Sequence, residues 1–290
     1  MTTTSSRIPT RTTATADGRT LAVDERGPAD APAVVFLHSA PGSRCFDPDP
    51  AATEASGVRL ITIDRPGYGG SSPWPEGTMP TLATLADDVV AVLDDLGVAD
   101  AAVAGWSTGG LVALGVGARH PDRVRHLALV GTPAPDDDVP WVGDEHRAQL
   151  QEMRTHPESA FGIMTEVFAP MAAEPDHALG TFTGGAADER ALAADADGRV
   201  QAMNDEAFRA GASGAAADIV AVQVAPWGFD PRAVGAPVEL FYGEADVLIT
   251  PAHGEHWQRT LADGRLHLVP DAGHLVVMEA WPQILDTLAT

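Results

Sequence analysis

Five consecutive residues, Gly105-Trp106-Ser107-Thr108-Gly109, set a serine between glycines two positions to either side. A serine on so sharp a turn has its hydroxyl lifted clear of the chain, and the glycines let the elements before and after it approach without clash. A hydroxyl is a weak nucleophile until a base takes its proton, so the pattern calls for a histidine. Of the ten histidines, His274 in Pro270-Asp271-Ala272-Gly273-His274 follows an apolar run, on a turn that would project it above the edge where the serine sits. His253 and His256 fall on what reads as an exposed helix start and, with Glu255, match no zinc signature. His38, His120 and His126 adjoin strands or turns and read as structural. A carboxylate must then fix the imidazole tautomer and stabilise its charged form. Asp246, in Gly243-Glu244-Ala245-Asp246, lies just past another apolar run; Glu244, Asp136, Asp137 and Asp138 are its rivals. Two backbone N–H groups aimed at the developing oxyanion complete the requirement. Thr108, directly after the serine, and Ala40, in His38-Ser39-Ala40-Pro41-Gly42, are the candidates; a purely structural turn is the other reading of that loop.

These residues need a scaffold that brings distant turns to one edge. Short apolar runs at Ala33–Leu37, Leu60–Ile63, Ala101–Ala104, His126–Val130, Val238–Tyr242 and Leu266–Val269 read as strands buried on both faces. Helical stretches Leu82–Leu96, Thr108–Arg119, Ala252–Leu261 and Met278–Leu288 lie between them. The alternation predicts an α/β fold with a mostly parallel, doubly wound sheet. Ahead of it, Thr12–Ala16 and Thr20–Glu25 flank Asp17-Gly18, a hairpin turn signal. The 105-residue interval Thr132–Ala236 is far too long for a connecting loop. It carries helical patterning at Glu145–Met153, Ser159–Phe168 and Arg199–Phe208, and apolar residues Trp141, Phe161, Met164, Phe168, Met171, Phe182, Met203 and Phe208. The expectation is a core of residues 1–131 and 237–290 with a helical cap, 132–236, over the sheet edge. Ser39, Trp106, Trp141, Phe168 and Trp227 are the candidates to line a pocket.

Composition narrows the chemistry. The 290 residues carry 41 Asp and Glu against 18 basic residues, a net charge of −23, and all 18 are arginine. Such a body repels phosphate backbones and anionic lipid heads, which disfavours nucleic-acid and membrane partners. Without lysine there is no Schiff-base or P-loop chemistry. One cysteine, Cys45, can form neither an internal disulfide nor a cysteine-based zinc site. A reducing, cytoplasmic setting is therefore expected, with no metal. The uncharged run Ala101–Ala118 is long enough to span a bilayer, but its Gly-Trp-Ser-Thr-Gly-Gly interior predicts strand, turn and helix instead. Oligomeric state is not legible.

The chain resembles the α/β-hydrolase superfamily, in the cap-bearing branch of prolyl aminopeptidase-like and esterase-like bacterial serine hydrolases. The likeness rests on Gly105–Gly109, on Asp64-Arg65-Pro66-Gly67-Tyr68-Gly69-Gly70-Ser71, on the Gly-x-x-Asp ending at Asp246, on Gly273-His274, and on the chain order Ser107, Asp246, His274. It implies an eight-stranded type of sheet, attack of Ser107 on a carbonyl carbon, proton shuttling by His274, and an acyl-enzyme released by water without a cofactor. The substrate would be a small, largely apolar ester, amide or related carbonyl compound. Carbon–carbon bond hydrolysis, haloperoxidase-like chemistry and ligand binding without turnover occur on the same fold. A serine nucleophile argues against haloalkane dehalogenase and epoxide hydrolase chemistry. One departure stands out: the oxyanion loop, customarily His-Gly, reads His38-Ser39, and a side chain there could distort its backbone.

Overall fold

The computed structural model describes residues 11–75, 77–174, 180 and 184–289. Eight strands form one sheet: β1 (Arg11–Ala14), β2 (Thr20–Arg26), β3 (Ala33–Leu37), β4 (Arg59–Ile63), β5 (Ala101–Trp106), β6 (Val124–Val130), β7 (Val238–Gly243) and β8 (Gly264–Val269), in spatial order β1-β2-β4-β3-β5-β6-β7-β8. The β1–β2 hairpin and the β2–β4 pairing are antiparallel, and every pairing from β4 onward is parallel. The hairpin turns at Asp17-Gly18, as the dipeptide predicts.

Strands β3, β5 and β7 are buried along their whole length, as crossover helices on both faces require. Alternate residues serve opposite faces. Val35 and Leu37 join a core with Leu85, Val89 and Leu93 of α2 (Leu82–Asp95) and Leu111 and Leu114 of α3 (Thr108–Arg119); Val34 and Phe36 join another with Trp281 and Ile284. Helix α2 begins where the Thr81 hydroxyl accepts the Thr84 N–H at 3.1 Å. Its buried residues recur at three- and four-residue steps from Leu82 to Leu93, the stripe of a helix facing one core.

Sequence patterning missed α1 (Pro50–Ser56), where one side-chain oxygen of Asp49 caps two N–H groups. Its seven residues bury only Thr53, too short and too polar a stretch for periodicity to register.

Between β6 and β7 the chain leaves the sheet as an inserted helical region, the cap. It contains α4 (Asp144–Thr155), α5 (Pro157–Ala173), α6 (Ala186–Ala194), α7 (Arg199–Ala207) and α8 (Ser213–Ile219). The three expected helices fall on α4, α5 and α7. Helices α6 and α8 are alanine-rich and gave no amphipathic signal. Leu150, Met153, Met164, Ala216 and Val220 form a small core of the cap; Phe182 lies outside the described residues. The chain then returns to the sheet, whose last helices are α9 (Pro251–Thr260) and α10 (Val276–Leu288).

Candidate active site

Parallel strands deliver their following loops to one edge of the sheet, and that edge gathers the chemistry. Ser107 sits between β5 and α3 at φ 55° and ψ −123°, a conformation that L residues avoid and that the surrounding backbone imposes. Its N–H donates to the Val130 carbonyl at 2.8 Å, and its carbonyl accepts the Gly110 N–H at 2.9 Å. A Cβ on Gly105 would lie 2.3 Å from the Gly109 carbonyl oxygen, and one on Gly109 would lie 2.2 Å from that of Leu37. The glycines are therefore obligatory: one lets helix meet strand, the other lets the turn press against the end of β3.

His274, between β8 and α10, brings its Nε2 to 3.2 Å from the Ser107 hydroxyl oxygen, and its Nδ1–H donates to Asp246 Oδ2 at 2.9 Å. The second Asp246 oxygen accepts the N–H groups of Leu248 and Ile249 at 2.8 and 2.9 Å. The acid is thus buried with both oxygens satisfied, and the imidazole is held with its Nε2 lone pair toward the serine. The loop carrying His274 is pinned twice. Trp106 donates its indole N–H to the His274 carbonyl at 3.0 Å, and Asp188 of α6 accepts the Leu275 N–H at 2.8 Å. Burial pushes the Asp188 carboxyl up, while the N–H groups of Leu275 and Gly184 oppose the shift. No local sequence signal singled out Asp188, because its partner lies 87 residues away.

The rival carboxylates lie elsewhere. Asp136 accepts the Trp141 and Val142 N–H groups and pairs with Arg147. Burial works to raise its pKa, but Arg147 and the two N–H groups outweigh that and hold it below the ordinary value. Asp137, Asp138 and Glu244 are exposed. His253 is a correction: expected on an exposed helix start, it is 1% exposed, because α9 turns residues 253, 254 and 257 inward. Its Nδ1 accepts the Ala134 N–H at 2.9 Å, and burial pushes its pKa down to about 4. Among the described residues, no three His, Cys, Asp or Glu side chains cluster as metal ligands would.

The loop after β3 is held from within and from above. His38 is buried against Tyr68, and burial, with the Arg65 charge second, pushes its pKa well below 6.5. The neutral ring donates its Nδ1–H to the Ser39 carbonyl at 2.7 Å. Arg65, from the Asp64–Ser71 turn, donates to the His38 carbonyl at 2.7 Å and to the Ser39 carbonyl at 2.8 Å. Its remaining donors reach Asp218 of the cap at 2.9 and 2.6 Å, and the Tyr68 hydroxyl donates to the same carboxylate at 2.8 Å. The Ser39 hydroxyl turns back to the Pro41 carbonyl at 2.8 Å. Among the described residues the non-glycine positions at positive φ are Ser107 and Asp271, and Ser39 is not one of them. Its side chain therefore adds no left-handed strain to the loop. Among the described residues, no acceptor takes the Ala40 or Thr108 N–H.

Trp106 is fully buried beneath the His274 loop, its ring 5.9 Å from the imidazole. Trp141 lines a hollow of about 540 Å³ with Val142, Val247, Leu248 and His253. Trp227 lines a separate hollow of about 400 Å³ and stacks on Trp257. Phe168 packs, half-buried, inside the cap. A third hollow, of about 450 Å³, lies among Ala29–Ala33, Arg59 and Gly97, where β3 and β4 begin, at the sheet edge opposite the triad.

Comparison with known proteins agrees with this geometry. The family described as alpha/beta hydrolase fold matches residues 32–280. A pimeloyl-[acyl-carrier protein] methyl ester esterase of Aromatoleum aromaticum is 30% identical over 234 residues, covering 76% of this chain and 81% of that protein. The 3-oxoadipate enol-lactonase 1 of Acinetobacter baylyi is 32% identical over 139 residues, 48% of this chain and 50% of that one. Among solved structures, a hydrolase from Pseudomonas aeruginosa PA01 superposes with a TM-score of 0.72 at 27% identity, covering 97% of this chain and 96% of the other. An enol-lactonase from Burkholderia xenovorans LB400 shares the fold, with a TM-score of 0.69 at 24% identity and coverage of 96% and 97%. With a serine, a histidine and an aspartate in hydrogen-bonded sequence at the carboxyl edge of an eight-stranded sheet, the chain belongs to the alpha/beta hydrolase fold family and has the geometry of its serine hydrolases.

Proposed function

We propose that the protein hydrolyses a carboxylic ester or lactone of a small, largely apolar substrate through an acyl-enzyme on Ser107. The observation that carries this reading is the row Ser107, His274, Asp246 at 3.2 and 2.9 Å. His274 Nε2 takes the Ser107 proton as the oxygen attacks the carbonyl carbon, and returns it to the leaving alkoxide. Water then attacks the acyl-enzyme, giving up its proton to the same nitrogen, and Ser107 leaves with it. The Ala40 and Thr108 N–H groups, lacking acceptors of their own, are assigned to the carbonyl oxygen as it gains charge. The similar methyl ester esterase and enol-lactonase favour an ester or lactone over an amide. An apolar substrate suits Val247 and Leu248, exposed directly after Asp246. Residues 132–236 are taken as the unit that covers it, with Trp141 and Phe168 among the side chains that shape its space. Among the described residues no helix is long and apolar enough to cross a membrane. A reducing, cytoplasmic compartment suits a chain whose single cysteine cannot form an internal disulfide.

The test is fluorophosphonate labelling followed by a panel of p-nitrophenyl esters, lactones and aminoacyl amides. Wild type should label and turn over at least one short ester or lactone many times. Ser107→Ala should lose the label and several orders of magnitude in kcat, since removing one triad member disables the unit. Retained turnover in that variant refutes the mechanism, and one stoichiometric burst from wild type points to a binding protein instead.

A further inference from the structure

We propose that Arg65, locked to Asp218 of the cap, is a positioning residue that aims the Ala40 N–H at the oxyanion, so that cap helix α8 forms part of the oxyanion machinery. The inference rests on the assignment of Ala40 made above. The Ser39 carbonyl and the Ala40 N–H belong to one peptide unit, and in a planar trans peptide they point in opposite directions. Whatever fixes the carbonyl therefore fixes the N–H. Two donors converge on that oxygen, Arg65 Nη2 at 2.8 Å and His38 Nδ1 at 2.7 Å, while Arg65 Nη1 holds the preceding carbonyl at 2.7 Å. With both carbonyls taken by one rigid guanidinium, the plane of the following peptide cannot rotate without breaking a buried hydrogen bond.

Arg65 is itself oriented from the cap. It is 3% exposed and Asp218 1%. The Asp218 carboxylate accepts from both Nε and Nη2 of Arg65 and from the Tyr68 hydroxyl, and the guanidinium carbon lies 5.5 Å from the Tyr68 ring centre. These contacts join residues 150 and 153 positions apart, so the clamp exists only when the cap is seated. Helix α8 can approach because it presents glycine to the turn: a Cβ on Gly214 would lie 2.6 Å from the Tyr68 ring. A second cap helix meets the same loop, where the Ser43 hydroxyl donates to the Met203 carbonyl at 3.0 Å and Arg44 pairs with Glu206 at 2.8 Å.

The test compares wild type with Arg65→Lys, with Asp218→Asn, and with the double variant Arg65→Met/Asp218→Leu. The double variant removes both charges, so no buried charge is left unpaired, and the loss it retains is that of the donors to the His38 and Ser39 carbonyls, which is the contact under test. The probe is a short-chain alkyl trifluoromethyl ketone, whose adduct on Ser107 mimics the oxyanion. It is read alongside kcat and KM on a p-nitrophenyl ester and the cooperativity of thermal unfolding. Losing a whole oxyanion donor costs about 100- to 1000-fold. Misaiming one should lower kcat and raise the inhibition constant in parallel by about 10- to 100-fold, with KM nearly constant. A separate amide-to-ester exchange at Ala40 deletes the N–H alone. If that exchange weakens the ketone but the folded Arg65 and Asp218 variants match wild type, Arg65 has no positioning role and the Ala40 assignment stands. If the exchange leaves ketone affinity unchanged, the Ala40 assignment falls and this inference with it.

Discussion

At the scale of single residues, the site depends on groups that fix other groups. Asp246 illustrates this: its Oδ1 is occupied by two backbone N–H groups, so only Oδ2 is offered to His274. Asp246→Asn keeps the shape but turns the tautomer preference around wherever the amide NH2 faces Nδ1. We expect kcat to fall by about three to four orders of magnitude with substrate affinity little changed, measured by steady-state kinetics on the preferred ester. Activity within tenfold of wild type would transfer the acid's role to another carboxylate. All three triad residues were legible in the sequence, because each follows an apolar strand and nucleophile, acid and base come in a diagnostic order, although β8, expected to be buried on both faces, is a half-exposed edge strand with Leu268 facing out. Asp188 and Asp218 were not, because each acts on a backbone or side-chain group far along the chain. The doubt raised by Ser39 was legible, but its answer lay in a backbone angle that residue type does not fix.

At the scale of elements, helix α9 shows where periodicity fails. Its polar sequence reads as solvent-facing, yet His253 points inward and serves as an acceptor for the Ala134 N–H. Protonating Nδ1 would set two donors against each other in a buried place, and burial already holds the pKa at about 4. The folded protein therefore binds fewer protons here than the unfolded chain, whose histidine titrates near 6.5. The stability this residue contributes is complete above pH 6.5 and is lost as pH falls through 4. His38 acts in the same direction. In His253→Asn the amide oxygen can take the Ala134 N–H without titrating, so the fall in melting temperature between pH 7 and 4 should be shallower than in wild type. Equal slopes would remove His253 from the account. The core strands could be read because both faces of each are apolar. Helices α6 and α8 could not: α8 packs small residues, Gly214 to Ala217, that carry no hydrophobic stripe, and α6 buries only Ala187 and Asp188.

At the scale of the whole molecule, charge is the dominant feature. The arginines are largely taken by local partners: Arg19 with Asp88, Arg44 with Asp64 and Arg65 with Asp218 in the interior, and Arg119, Arg123 and Arg125 with carboxylates outside. An excess of 23 negative charges remains on one compact body. Salt screens that self-repulsion over about 10 Å at 0.1 M, while the buried pairs are much less affected. The melting temperature should therefore rise from low salt to molar KCl, and a flat response would mean that the excess acid costs the fold nothing. The same long-range architecture has a temporal side. The triad is drawn from three separate crossovers, with Ser107 and His274 lying 167 positions apart. A chain growing from its amino end makes the nucleophile first, the cap next, the acid afterwards and the base last of all. Until residue 274 has been synthesised and docked behind Trp106, a nascent chain has an activated-looking serine with no proton acceptor. Hydrolysis is thereby reserved for chains that have already closed their sheet.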